Sequence, residues 1–286
     1  MTRTRSGDTR GMRFLRRIGH QPLALVGLSI FTGVVLVAIL APYIAPYDPL
    51  EVDLANRLLP PSARHLFGTD EMGRDVLSRV IHGSRISLRV GLTVVLIAFP
   101  FGSILGAIAG FYGGLVDELI MRLVDIFLCI PGLVLAMAIA AALGPSIQNV
   151  LLSLAVVWWP WYTRIVRSVI LGLREQEFVQ AARAIGASNR RIIVRHLLPN
   201  AIAPAFVNAT LDLGFVILSA AGLSFIGLGA QPPSPEWGAM LSTSRDILRE
   251  AWWAATFPGL AILLSVLSIN LLGDAFRDLL DPRLKL

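Results

Sequence analysis

The chain has 286 residues, of which 55% are hydrophobic and 15% charged, with a net charge of +6. An ordinary soluble domain carries roughly 25% charged residues. One cysteine, Cys129, excludes an internal disulfide, and His20, His65, His82 and His196 share no metal-ligand spacing. The single lysine, Lys285, leaves no residue for a phosphate-binding P-loop, so the chain has no such ATP site, and lysine-dependent covalent chemistry is disfavoured.

Six arginines crowd residues 1–17, directly before the first apolar run. That placement suits anionic lipid and a retained membrane anchor better than nucleic acid. Uncharged runs then cover 23–41, 90–116, 126–163, 213–235 and 251–273. A bilayer span needs about 20 residues. The third run is broken by Gly144-Pro145-Ser146 and reads as two spans, giving an all-α integral membrane protein of six helices.

The first span occupies 23–41, after Pro22 and a basic segment 1–22. Residues 42–89 form a long loop whose end is amphipathic: Val76, Leu77, Val80 and Ile81 share a face, while Asp75 and Arg79 stand one turn apart. That stretch is expected to lie along the membrane surface, either as a plain connection or in contact with substrate. A core follows over 90–273. Its first span carries Gly102, Gly106 and Gly110, whose spacing of four lets another helix approach closely. Spans at 122–142 and 147–163 come next. Arg122 and Asp125 are expected to pair locally, and Trp158, Trp159 and Trp161 to form an interfacial belt around Pro160. The last two spans cover 206–228 and 255–273, joined by a loop over 230–250, and 274–286 is a tail. Asp212, inside the fifth span, either lines a pathway or bonds within the bundle.

With both termini inside, the inner segments hold seventeen basic residues and the outer loops eight. This bias sets the orientation and places a basic insert, 164–200, in the cytoplasm. Ala181, Ala182, Arg183 and Ala184 favour helix and Gly186 interrupts it. Ser188 or Asn189 can cap a second helix, with Ile192, Ile193, Leu197 and Leu198 on its apolar side, and Pro199 stops or bends it. Ala182 and Gly186, four apart, are expected to offer one small face to a partner. A basic loop resting on lipid headgroups is the alternative.

EFVQAARAIGASNRRIIVRHLLPN at 177–200 resembles the signature loop of ABC-importer membrane subunits, with paired alanines and a glycine four residues later. LFGTDEMGRDVLSRVIHGSRISLRV at 66–90, LSFIGLGAQPPSPEWGAML at 223–241 and NLLGDAFRDLLDPRLK at 270–285 resemble the C-type permease subunit of the dipeptide/oligopeptide and nickel importers. The resemblance runs from about residue 10 to the end. It implies the type I importer permease fold and a bacterial inner-membrane location. The implied partners are a homologous second permease, two cytoplasmic ATPases using ATP and Mg, and an extracytoplasmic substrate-binding protein. It makes the insert a coupling helix, carried here by Ala181, Ala182 and Gly186 with Arg183, Arg190 and Arg191. The family's glutamate is Gln180 in this chain, which removes any salt bridge from that position. Asp70, Glu71, Arg74 and Asp75 lie in the second block and either meet the binding protein or order their own loop. The substrate is a dipeptide or oligopeptide, or alternatively nickel or another small solute. A stand-alone secondary carrier is the reading from another class. It predicts coupling charges or broken helices near the midplane.

Overall fold

A computed structural model describes residues 22–280, so the N-terminal arginines, Arg283 and Lys285 lie outside the described residues. The described chain is helical, apart from loops and one isolated bridge between Thr69 and Asp75. Helix α1 is Pro22–Ile44, opened by a proline whose missing N–H costs nothing in a first turn. Helix α2 is Val76–Tyr112. Then come α3 (Gly114–Cys129), α4 (Gly132–Leu143) and α5 (Ile147–Leu173). A hook follows, made of α6 (Glu177–Ala184), α7 (Asn189–Ile192) and one π-helical turn, Ile193–Leu197. It leads without a break into α8 (Leu198–Phe225), and α9 (Trp237–Ser244) and α10 (Trp252–Leu280) complete the chain.

The amphipathic stretch 75–91 is not a separate helix before the second span. It is the first part of α2, which runs on for 37 residues. Asp75 caps it by accepting from the Ser78 N–H at 2.7 Å, and no breaker occurs before Pro100. At 1.5 Å per residue the helix is about 55 Å long, against a bilayer core of about 30 Å, so its first turns project beyond the core. The expected third span is corrected too. It is two helices bent by 87° at Ile130-Pro131. Proline lacks the N–H that would continue the ladder and forces the residue before it out of the helical region; Ile130 is extended, at φ −97° and ψ 133°.

Four stretches are long and apolar enough to span: Pro22–Ile44, Val76–Tyr112, Asn189–Phe225 and Trp252–Asp278, with the bent pair α3–α4 as a possible fifth. The expected six are therefore not all recovered by this criterion. Helix α5 has the length, at 27 residues, but Trp158–Tyr162, Arg164 and Arg167 dilute its apolar character.

The bundle is built on α2 against α5, and the glycine stripe is the reason. A Cβ on Gly102 would stand 2.3 Å from the Trp159 carbonyl oxygen, and one on Gly106 2.5 Å from that of Thr163. A Cβ on Gly110 would meet Ile170 at 2.8 Å. Only hydrogen fits between these backbones, and Thr163 donates its hydroxyl across the seam to the Gly102 carbonyl at 3.1 Å. The C-terminal half of α5 is tied as well. Arg167 grips Asp117 of α3 with two hydrogen bonds, and Arg164 pairs with Asp125 at 2.7 Å. Asp125 was expected to pair with Arg122, but Arg122 sits 3.5 Å from Glu118 one turn back.

The first pole of the bundle carries the loops around 45–75 and 226–251, and they are knitted together. Trp253 donates its indole N–H to the Thr69 carbonyl at 3.0 Å, and Trp237 donates to that of Val80 at 3.0 Å. Phe67 and Phe257 stack with centroids 3.8 Å apart. The second pole carries the hook.

Candidate functional site

The hook is a helix, a tight turn and a second helix fused to a spanning one. The turn is set by Gly186, whose φ of +79° lies in the left-handed region that suits glycine. Around it the Ala187 N–H reaches back to the Ala182 carbonyl at 3.0 Å and the Gly186 N–H to that of Arg183 at 2.9 Å. Ser188 then caps α7, accepting from the Arg191 N–H at 3.4 Å. Pro199 falls in the first turn of α8, where it neither stops nor breaks the helix.

The inner face of the hook is apolar and covered. Val179, Ala182, Ile192, Ile193 and Leu197 pack with Phe111 of α2, Val166 and Ile170 of α5, and Ala201 and Ala205 of α8. This corrects the expected small docking face. Ala182 points into the bundle, 6% exposed, and Gly186 lies outside α6 in the turn. The outer face belongs to other residues: Phe178 is 41% exposed and Ile185, at the tip, 85%. Ala181 lies between them and is exposed, as are Gln180, Arg183, Arg190 and Arg191. The spacing 178, 181, 185 was the available signal, since at 3.6 residues per turn these positions share a face about a quarter-turn from the buried pair 179 and 182. Arg183 lies over the Phe111 ring at 5.3 Å, and Gln180 donates its amide to the Glu175 carbonyl at 3.1 Å. Gln180 thus serves the entry of its own helix.

Asp212 is half-buried on α8, beside Trp158 and Tyr162 of α5. The Tyr162 hydroxyl is buried and within electrostatic reach of this carboxylate, yet completes no hydrogen bond of ordinary geometry. The three tryptophans do not form one belt. Trp159 is buried edge-on against Phe101 and Phe127, whereas Trp161 is exposed.

At the first pole, three of the four acidic and basic residues that either meet a binding protein or order their own loop are already engaged. Asp70, Arg74 and Asp75 are all less than 9% exposed. Arg74 donates to Asp70 at 2.7 Å, and His65 Nδ1 lies 3.0 Å from the Asp75 carboxylate. Of the two roles open to these residues, this is the geometry of ordering their own loop; Glu71 is the one that is partly exposed. Arg79, missed as a structural residue, joins the network 3.5 Å from Asp70 and donates to the carbonyls of Pro49 at 2.9 Å and Pro233 at 3.2 Å. It therefore staples both loops to α2. Burial pushes Glu236 above the usual carboxylate range, although it caps α9 through the Ala239 N–H at 2.9 Å. Arg79→Met should destabilise this pole by about 3–5 kcal/mol, because it leaves carbonyls and part of the Asp70 charge buried without a partner. Limited proteolysis between residues 45 and 75 checks this; an unchanged cleavage rate would contradict it.

Comparison with known proteins gives this architecture a family. A model described as "binding-protein-dependent transport system inner membrane component" matches residues 102–286. The chain belongs to this family. A second model, the N-terminal TM domain of oligopeptide transport permease C, matches residues 9–61 of the permease. Among curated relatives, the dipeptide transport system permease protein DppC of Alkalihalophilus pseudofirmus is 50% identical, over 94% of this chain and 89% of its own. The probable D,D-dipeptide transport system permease protein DdpC of Escherichia coli is 49% identical over 96% and 92%. The glutathione transport system permease protein GsiD of Escherichia coli is 46% identical over 95% and 90%. In structure, the inward-facing MetNI methionine ABC transporter matches with a TM-score of 0.52 at 24% identity. That match covers 72% of the permease and 97% of the solved chain, and it supports the type I importer fold. The hook and Asp212 both lie inside the larger family match. Residues 62–101, with the Asp70–Arg79 network, fall between the two matched stretches.

Proposed function

We propose that this permease forms half of the translocation pathway of an ATP-driven, binding-protein-dependent importer for dipeptides or oligopeptides. It pairs with a homologous second permease in a bacterial inner membrane, crossing it six times, with both termini and the hook in the cytoplasm. Two ATPases, using ATP and Mg, engage the hooks of the two permeases, and a substrate-binding protein docks on the first pole. The observation that carries this reading is the hook itself. Its inner face is packed on three spanning helices, its outer side leaves Phe178, Ala181 and Ile185 exposed, and it runs unbroken into α8. A push on the outer face is therefore delivered to α8 and to Asp212 as motion of one rigid piece, the two-state element that coupling requires. Gln180, Ala181, Arg183, Arg190 and Arg191 surround the contact, Gly186 holds the turn, and Ala182 anchors it. Peptides are favoured as cargo by the names of the relatives at 50% and 49% identity.

A second reading keeps the assembly and changes the solute, on the strength of the glutathione relative at 46% identity. Uptake into proteoliposomes by the full assembly tests both, with a peptide panel, glutathione and nickel presented through the binding protein. Peptide uptake that needs ATP and the binding protein is expected. Uptake of glutathione or nickel alone selects the second reading. ATP-independent uptake by this chain by itself would make it a secondary carrier.

A further inference from the structure

The first pole contains a cavity that the hook, the buried ion network and Asp212 do not use. It has a volume of about 660 Å³, within the roughly 300–1,000 Å³ of small-molecule sites. Two arginines of α2, Arg85 and Arg89, line it one helical turn apart. Neither makes a hydrogen bond or ion pair with any described residue, unlike Arg74 and Arg79 of the same pole. No acid lines the cavity. Two cations on one face at this spacing repel each other, and an anion between them removes that cost. The rest of the wall has an apolar part, made by Ile86 and Val90 of α2 and Ile147 and Leu151 of α5, and a polar part, made by His82, Gln148 and Ser234. Leu50 and Pro235, from the two loops of the pole, close its outer side.

The position narrows the occupant. The apolar part of α2 begins at Val90, so Arg89 stands where the span meets the interface and Arg85 about 6 Å further out. The cavity thus sits at the outer end of the bundle, framed by loops and by the outer ends of two spanning helices. A solute released at this pole meets it before entering the membrane. A cationic pair beside an apolar wall fits a small molecule that is a carboxylate at one end and apolar next to it.

The geometry points to Arg85 and Arg89 as an entry subsite that takes the C-terminal carboxylate of the incoming peptide, with the neighbouring side chain against Ile147 and Leu151. This rests on the peptide-import reading and its orientation. Arginine is suited to the role because its planar fork can hold both carboxylate oxygens. The subsite makes the permease itself selective for a free C-terminus.

The test uses the whole assembly in nanodiscs, with p-benzoylphenylalanine replacing Leu50 at the rim. Radiolabelled Ala-Phe and Ala-Phe amide, at equal millimolar concentrations, are photolysed with it. At least ten-fold more labelling by the acid than by the amide is expected. Arg85→Gln with Arg89→Gln should erase the difference, whereas Arg85→Lys with Arg89→Lys should keep most of it. Equal labelling by acid and amide in the otherwise native assembly overturns the proposal, and that comparison stands even if the glutamine variant fails to assemble. So does acid preference surviving in the glutamine pair. Crosslinks to the second permease or to phosphatidylglycerol in place of the peptide overturn it as well. Uptake by the same assemblies separates the two readings. Acid-selective labelling without peptide uptake sinks peptide import and leaves the subsite, and uptake without acid-selective labelling sinks the subsite.

Discussion

Phe178→Glu combined with Ile185→Glu should lower ATP-driven uptake at least 100-fold while the permease still inserts and pairs. Phe178 is 41% exposed and Ile185 85%, and both project from the outer side of the hook. Glutamate there is solvated in the isolated subunit, so folding is spared. The inner anchors Val179, Ala182 and Ile192 are untouched. Under the proposed docking the same face is pressed into an ATPase, and each carboxylate must be desolvated or held apart from its groove. Leaving a charge buried without a partner costs about 3–5 kcal/mol, and each 1.4 kcal/mol is about ten-fold in affinity. Either substitution alone is thus expected to cost about two decades. The measurement is co-purification of the ATPases with the tagged permease, alongside uptake. ATPases recovered at the native yield would refute the docking face. Arg122→Ala is the comparison, since its exposed pair with Glu118 lies outside the contact, contributes about 0–1 kcal/mol and should leave most uptake intact.

How much of this was legible from residues alone depended on the range of the interaction. Features set within one turn were legible. The glycine stripe at 102, 106 and 110 required close helix contact, and the order helix, turn at Gly186, capped second helix followed from local preferences. Features set by a partner far along the chain were not. Asp125 has Arg122 three residues away, but α5 brings Arg164 to it. Asp70, Arg74 and Asp75 look like a surface patch until the loops around Pro49 and Pro233 close over the Arg79 side chain beside them. The paired alanines suggest a docking surface, but Val179 one turn from Ala182 indicates which side faces the bundle. The bend at Ile130-Pro131 was open to a reading of proline alone, and the continuous apolar run over 126–163 concealed it.

Gly106→Leu should remove the folded permease from the membrane, lowering its steady-state level at least ten-fold. The position has no room. A Cβ would lie 2.5 Å from the Thr163 carbonyl oxygen, 3.0 Å from the Arg167 nitrogen and 3.0 Å from Val166 Cβ. Two of the three neighbours are backbone of α5, so no rotamer change relieves the clash and the helices must separate. Overpacking in a core costs about 1–3 kcal/mol when side chains can adjust, and a backbone clash exceeds that. Separation also weakens contacts that depend on the same approach: the Thr163 hydroxyl loses the Gly102 carbonyl, and Arg167 is drawn off Asp117. The damage reaches the hook, because Val166 and Ile170 of α5 form part of the floor on which Val179 and Ala182 rest. Gly33→Leu is the matched control: nothing lies within 4 Å of a Cβ there, and the added side chain meets the surroundings of α1. Quantifying both variants in membranes, with the temperature at which each loses its fold in detergent, gives the answer. Equal levels and equal unfolding temperatures would show that α2 and α5 do not need this contact, and the floor beneath the hook would then have to be held by α8 alone.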